Sequence, residues 1–244
     1  MKRTYADLHL RPNLNDFEHT KQMITKAAKL GYHLIAIPLP PNVSEENLQK
    51  MQGICREAKI DFATRLNLKP TTPDELTRNL RKFRRKYETI AVICESKNVA
   101  RQAAKDRRVD ILNFPLYDYH GRFFDLAEAE LASGSLTAFE IDAQPILALE
   151  GPARSRLLSN LRRETETAKA FHIPIILSSG TSDLMLMRRP MDMAALASLF
   201  DLENEQALQA VSENPVGIVK RNRGKLNSTF VAPGIRVVRR GKDC

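Results

Sequence analysis

The chain has 244 residues, 43% apolar and 27% charged, a globular balance that allows one large α/β domain or two small ones. Tryptophan is absent and aromatics make up 6%, against recognition of nucleic acid by stacking bases on many rings; no segment approaches the roughly 18 continuous apolar residues of a membrane span. The net charge of +9 is concentrated: residues 78–86 carry six basic side chains and no acid, residues 220–244 carry eight against Asp243, and the rest of the chain is slightly acidic, the distribution expected of a protein that grips a polyanion.

Short apolar runs alternate with amphipathic stretches along the whole chain. Strands are expected at 4–10, 33–38, 61–68, 89–94, 109–114, 136–141 and 173–178, and helices at 16–30, 44–58, 72–85, 97–107, 124–132 and 153–171. Further helices follow at 190–200, 203–211 and 215–223. Strand–helix repetition implies right-handed crossovers and a parallel sheet. Seven units without a long linker favour an α/β, TIM-barrel-like fold of about seven parallel strands over an open doubly wound sheet. The expected division is a barrel over 1–223 and a basic C-terminal extension over 224–244.

In chain order, the first strand ends Asp7-Leu-His9-Leu-Arg11, and the third carries Arg65. Arg11, Arg65 and Arg188 all fall at or just beyond strand C-termini. They either converge on one rim of the barrel or form structural ion pairs with Asp7, Glu140 or Asp183. The helix at 72–85 opens Thr72-Pro73-Asp74-Glu75, with Thr as cap, Pro at the first position and Glu reaching back. Leu76, Leu80, Phe83 and Tyr87 share one face, and Arg78, Arg81, Lys82 and Arg85 the opposite one. Cys55, Cys94 and Cys244 lie far apart with no C-x-x-C spacing, against a disulfide framework or structural zinc. With residues 1–7 lacking an apolar leader region, a soluble cytoplasmic protein is expected.

The run Ile173-Pro-Ile-Ile-Leu-Ser-Ser-Gly-Thr-Ser-Asp183, followed by Arg188-Arg189-Pro190, is a buried strand opening onto a loop with two adjacent arginines. Arg189 before Pro190 is the expected phosphate contact, since a helix N-terminus follows it. Arg221 and Arg223 end a helix, where cations suit the dipole, and Arg239 and Arg240 lie in a strand-like run expected to order on a partner. No nucleophile–base spacing appears.

Asp7-x-His9 resembles the opening of the polymerase and histidinol phosphatase (PHP) superfamily, whose barrels begin with a metal-binding His-x-His pair. Here Arg11 stands at the second position, where a guanidinium has no lone pair for a cation. Gly180-Thr-Ser-Asp183-Leu-Met185 resembles the superfamily's closing Asp-x-His with Met185 in the ligand's place. The resemblance implies a vestigial metal site with Asp7, His9 and Asp183 as remnants, no catalytic residue and no metal held by the protein. A stand-alone PHP-type metal-dependent phosphoesterase is the alternative, and a scaffold that touches only other proteins is a third reading.

Residues 5–11, 27–37, 64–66, 109–111, 139–141, 176–179, 188–192 and 210–215 together resemble, in order, the family of RNase P protein component 3, archaeal counterparts of a eukaryotic nuclear RNase P and RNase MRP subunit. This implies a PHP-like barrel within the ribonucleoprotein that removes 5′ leaders from precursor tRNA. The RNA subunit performs hydrolysis with Mg²⁺, and component 3 pairs with component 2 among the other RNase P proteins and meets precursor tRNA indirectly. The residues expected to contact RNA are then the arginines and the lysine named above, from Arg11 to Arg240. His9 and the strongly basic tail depart from the family pattern.

Overall fold

The computed structural model describes residues 3–115, 124–232 and 235–237. Seven parallel strands follow one another in chain order: β1 (Ala6–Asp7), β2 (Leu34–Pro38), β3 (Asp61–Leu68), β4 (Thr89–Ile93), β5 (Ile111–Asn113), β6 (Ala138–Asp142) and β7 (Ile175–Ser178). The crossover helices are α1 (Phe17–Leu30), α2 (Glu45–Glu57), α3 (Pro73–Phe83), α4 (Lys97–Lys105) and α5 (Leu126–Ser133), then α6 (Ala143–Ala148) and α7 (Gly151–Ala170) between β6 and β7. After β7 come α8 (Pro190–Leu196), α9 (Asn204–Ala210) and α10 (Glu213–Leu226), then the small antiparallel pair β8 (Phe230–Ala232) and β9 (Ile235–Arg236).

The first five helices start where the sequence supplies a cap. Asp16, Ser44, Thr72, Ser96 and Asp125 each accept a hydrogen bond from the backbone N–H three residues on, satisfying one of the amides a helix leaves free in its first turn. Gly31, at φ 99°, ends α1 in the left-handed conformation, and its N–H returns to the last carbonyls. Two departures from the sequence reading have local causes. The first strand stops at Asp7 because Asp7 Oδ1 takes the His9 N–H at 3.1 Å, removing it from the ladder until Leu10 N rejoins at Ala36 O. The helix at Ala143–Ala148 is too short to show a period, with Pro145 tolerated in its first turn.

The sheet is nearly closed. Beyond the strand ends, Gly180 N donates to His9 O and Arg11 N to Thr181 O, both at 3.0 Å, drawing the β7 and β1 segments together at the mouth. At the opposite end, the base, Ala6 N donates instead to Val211 O, so the turn between α9 and α10 fills the gap. Helix α10 then lies under the barrel. Asn214 Nδ2 donates to Ile175 O and Asn222 Nδ2 to Glu88 O, each at 2.8 Å, at the starting ends of β7 and β4.

The base interior is lined by Ala6, Ala36, Ala63, Ala91 and Ala138 with Leu8, Leu34, Ile111 and Ile176, and Ile218 and Val219 of α10 pack into it. Small residues there leave room for two side chains from outside the sheet. The expected boundary at 223/224 falls inside α10, which ends at Leu226. Replacing Ile218, 5% exposed, by Ala should destabilise the fold by about 2–5 kcal/mol, read from the urea midpoint at constant m-value.

Candidate functional site

Period-two alternation aims one side chain in two into the barrel, and near the strands' C-terminal ends those side chains turn polar. Arg65 and Asn67 come from β3, Asn113 from β5, Glu140 and Asp142 from β6, Ser178 from β7, and His9 from the segment after β1. Arg65 is fully buried. Its Nη1 and Nη2 donate to Glu140 Oε1 and Oε2 at 2.6 Å each, Nη1 also to Leu8 O at 2.7 Å, and Nε to Asn67 Oδ1 at 2.7 Å. Ser178 Oγ and Asn113 Nδ2 donate to the same carboxylate at 2.7 and 2.8 Å. Burial alone would raise the Glu140 carboxyl, but the Arg65 charge and its two hydrogen bonds hold it well below the usual carboxylate range.

Above this pair, hydrogen-bond logic fixes the histidine. Asn67 spends Oδ1 on Arg65, so its Nδ2 faces His9 Nε2 at 3.1 Å and that nitrogen accepts. His9 Nδ1–H then donates to Asp142 Oδ1 at 2.8 Å, while Asn113 Nδ2 reaches Asp142 Oδ2 at 3.1 Å. Gly180, at φ +61°, makes the room: a Cβ there would lie 2.5 Å from Asp142 Cγ.

His9, Glu140 and Asp142 offer one nitrogen and two carboxylate oxygens within 4.8 Å of one another, a donor set of the right type for a divalent cation. The arrangement does not fit one. Both Glu140 oxygens are committed to Arg65, and an ion bridging the three groups would sit against a buried guanidinium. The expected remnants Asp7 and Asp183 lie outside this group. Buried Asp7 staples the mouth by accepting from Ser179 N at 3.0 Å, burial pushing its carboxyl up, and exposed Asp183 caps a 3-10 turn at Leu184–Leu186. The sequence reading missed Asp142; the signal was its two-residue spacing from Glu140 at a strand's end.

Arg65 therefore takes the ion-pair alternative with Glu140 and has no surface with which to reach RNA. Arg11, Arg65 and Arg188 share no hydrogen bond or ion pair among the described residues. Arg11 is exposed at the mouth, 3.4 Å from Gly180 O, and Arg188 Nη1 is held by Met185 O and Met187 O. Arg189 is exposed, but its backbone N–H already donates to Asp192 Oδ2 at 3.3 Å, so the seven-residue helix behind it has its own anion. Arg221 and Arg223 are correspondingly tied. Arg221 reaches Asp110 Oδ1 and Leu136 O, and Arg223 binds Asp61, Glu88 and Phe62 O, fastening α10 across the base. Arg239 and Arg240 lie outside the described residues.

The α3 face is arranged as the periodicity predicts. Leu76, Leu80, Phe83 and Tyr87 are buried, and Arg78, Arg81, Lys82 and Arg85 are exposed with no salt bridge among the described residues. Lys82 Nζ lies 5.0 Å from the Phe83 ring centre. Glu75 reaches one residue further back than expected, accepting from Thr71 N and Oγ1 at 2.8 Å.

If Arg65 neutralises the barrel interior, Arg65→Met should cost about 3–5 kcal/mol by stranding Glu140, and Arg65→Met/Glu140→Leu should recover most of it. With its pKa depressed in the fold, Glu140 contributes stability that is full above about pH 4.3, the unfolded value, and lost as pH falls through the folded one. The double variant should therefore show a flatter acid limb in urea melts between pH 5 and 2 (on the order of one proton's worth of slope). Equal stability of the single and double variants would refute the assignment.

Comparison with known proteins agrees with this geometry. The family model described as RNase P subunit p30 matches residues 4–227. The chain is 32% identical over 227 residues to Ribonuclease P protein component 3 of Methanosarcina barkeri, covering 93% of this chain and 92% of that one. It is 34% identical over 224 residues to the protein of the same name from Methanosarcina mazei, covering 91% and 90%. A chain in the cryo-EM structure of archaeal Ribonuclease P with mature tRNA has the same fold, with a TM-score of 0.83 at 21% identity over 97% of this chain and all of that one. Matched by the family model over residues 4–227 and by relatives at 32% and 34% identity over more than nine-tenths of its length, the chain belongs to the RNase P subunit p30 family.

Proposed function

We propose that this chain serves RNase P as a protein subunit that binds and steadies the catalytic RNA, contributing positive charge and no catalytic group. The observation that carries this is the α3 ridge. Arg78–Lys82 is a like-charged i,i+4 pair within α3, costing a few tenths of a kcal/mol, Arg85 adds a further exposed cation in the turn just beyond the helix, and no carboxylate among the described residues forms a salt bridge with them. A polyanion at that face offsets the repulsion and, by releasing condensed counterions, gains affinity. The mouth supports the same division of labour. A stand-alone phosphoesterase would need an ion on a carboxylate whose two oxygens the Arg65 guanidinium already occupies.

On this reading hydrolysis of precursor tRNA belongs to the RNA subunit with Mg²⁺, and the protein itself holds no metal. Its partners are RNase P RNA, component 2 and the other RNase P proteins, with precursor tRNA met through the assembly. No helix among the described residues is long and apolar enough to cross a membrane, and the three separated cysteines suit a cytoplasmic setting.

Replacing Arg81, Lys82 and Arg85 by Ala should leave thermal melting unchanged, because all three are exposed. It should weaken binding to RNase P RNA and flatten the log–log salt dependence by ~0.7–0.9 for each phosphate no longer neutralised. A slope equal to that of the unaltered protein would take this helix out of the interface. Omitting the chain from the reconstituted particle should lower precursor-tRNA cleavage at modest Mg²⁺, and undiminished cleavage would overturn the subunit role.

A further inference from the structure

At the base of the barrel, positive charge gathers on a single carboxylate. Asp110, immediately before β5 and 2% exposed, accepts from Arg84 Nη1 at 2.7 Å and Ile90 N at 2.9 Å through Oδ2, and from Arg221 Nη2 at 3.1 Å through Oδ1. Arg84 follows the end of α3 and Arg221 lies on α10, so the two helices meet at this acid. Neither guanidinium is sealed: the side chains of Arg84 and Arg221 remain 16% and 27% accessible. One turn along α10, Lys225 is exposed and has no ion pair among the described residues. Partial burial, and then repulsion from Arg221 and Arg84, make its ammonium less stable than an ordinary lysine's, with Asp110 acting in the opposite sense.

Three cations around one buried carboxylate give this cluster an excess of positive charge, and Arg84 is followed directly in the chain by exposed Arg85 and Lys86, next to the α3 ridge. We propose that Arg84, Arg221 and Lys225 around Asp110 form a second phosphate-contacting point for RNA, so that the nucleic acid passes from the outer face of α3 under the base of the barrel, at the end opposite the mouth. This rests on the reading of the chain as an RNase P subunit. RNA is favoured over an acidic protein by the patch's composition. Interfaces between proteins centre on aromatic and apolar anchors, whereas nucleic-acid interfaces are polar and strongly basic. No exposed aromatic among the described residues lies in the patch: Phe17 belongs to the first turn of α1 at the mouth end, and the exposed apolar side chains beside the patch are the aliphatic Leu136 and Leu226. The partly exposed guanidiniums also supply planar donors suited to a phosphodiester.

The test uses the reconstituted particle with Lys225→Glu and Lys225→Ala, alone and combined with the α3 triple substitution, and measures RNase P RNA affinity against salt. Lys225 is exposed and unpaired among the described residues, so both variants should melt as the parent does. Lys225→Ala should lower the salt slope by ~0.7–0.9, the equivalent of a single phosphate, and Lys225→Glu should weaken binding several-fold more than Ala, each adding to the triple substitution. Unchanged affinity and slope for both Lys225 variants, with the triple still weakened, would remove the base from the RNA path and leave the subunit reading standing. Intact RNA binding with failed uptake by the other protein subunits would assign the base to an acidic protein and overturn the proposal. If the triple is also without effect and the particle cleaves equally well without the chain, the subunit reading itself falls.

Discussion

Everything polar inside this barrel is organised by one guanidinium. Arg65 enters from β3 with no access to solvent and meets Glu140 of β6 through two parallel hydrogen bonds. Two opposite charges in that setting are tolerable because the remaining donors and acceptors are also used: Asn67, Leu8 O, Asn113 and Ser178 complete the set. The strands that contribute are β3, β5, β6 and β7, so one ion pair ties distant parts of the sheet across the interior. The His9–Asp142 contact above it is positioned by the same groups, through Asn67 on one side and Asn113 on the other.

The two ends of the barrel consequently have different characters. The mouth holds charge, but that charge is internally matched and largely buried, which leaves an RNA little to hold there beyond the exposed rim. The base and the flank at α3 are the reverse. Exposed basic side chains line α3, three cations gather around Asp110, and Asp61, Glu88 and Asp110 are already used to hold α10 in place. In α/β barrels the mouth is the usual place for chemistry. On the function proposed above, the working surface lies on the outside of the fold instead.

Much of the architecture was legible in the sequence because most strands are short apolar runs, and the first five helices open on a capping side chain. The two faces of α3 could be read from periodicity alone. What could not be read was commitment. Arg65 and Arg223 look in sequence like any other basic residue, and only the fold shows carboxylates of long sequence separation closing on them. The reverse error occurred at the mouth, where short local spacings drew attention to Asp7 and Asp183, although the carboxylate that meets His9 is Asp142, 133 positions away. Local patterns report secondary structure well; which charges cancel is decided by contacts of long sequence separation.

The alanine-lined floor of the barrel has a consequence for how the protein is made. Its filling, Ile218 and Val219, lies on the tenth helix, so synthesis must proceed through all seven strands and into that helix before the interior can be packed. Until then the nascent barrel carries an apolar hollow and lacks the turn that completes its seam beside Ala6. Domains generally fold as units as they emerge during synthesis. For this one the packing of the floor waits on the emergence of the tenth helix, and a chain stopped before Ile218 leaves an open cup.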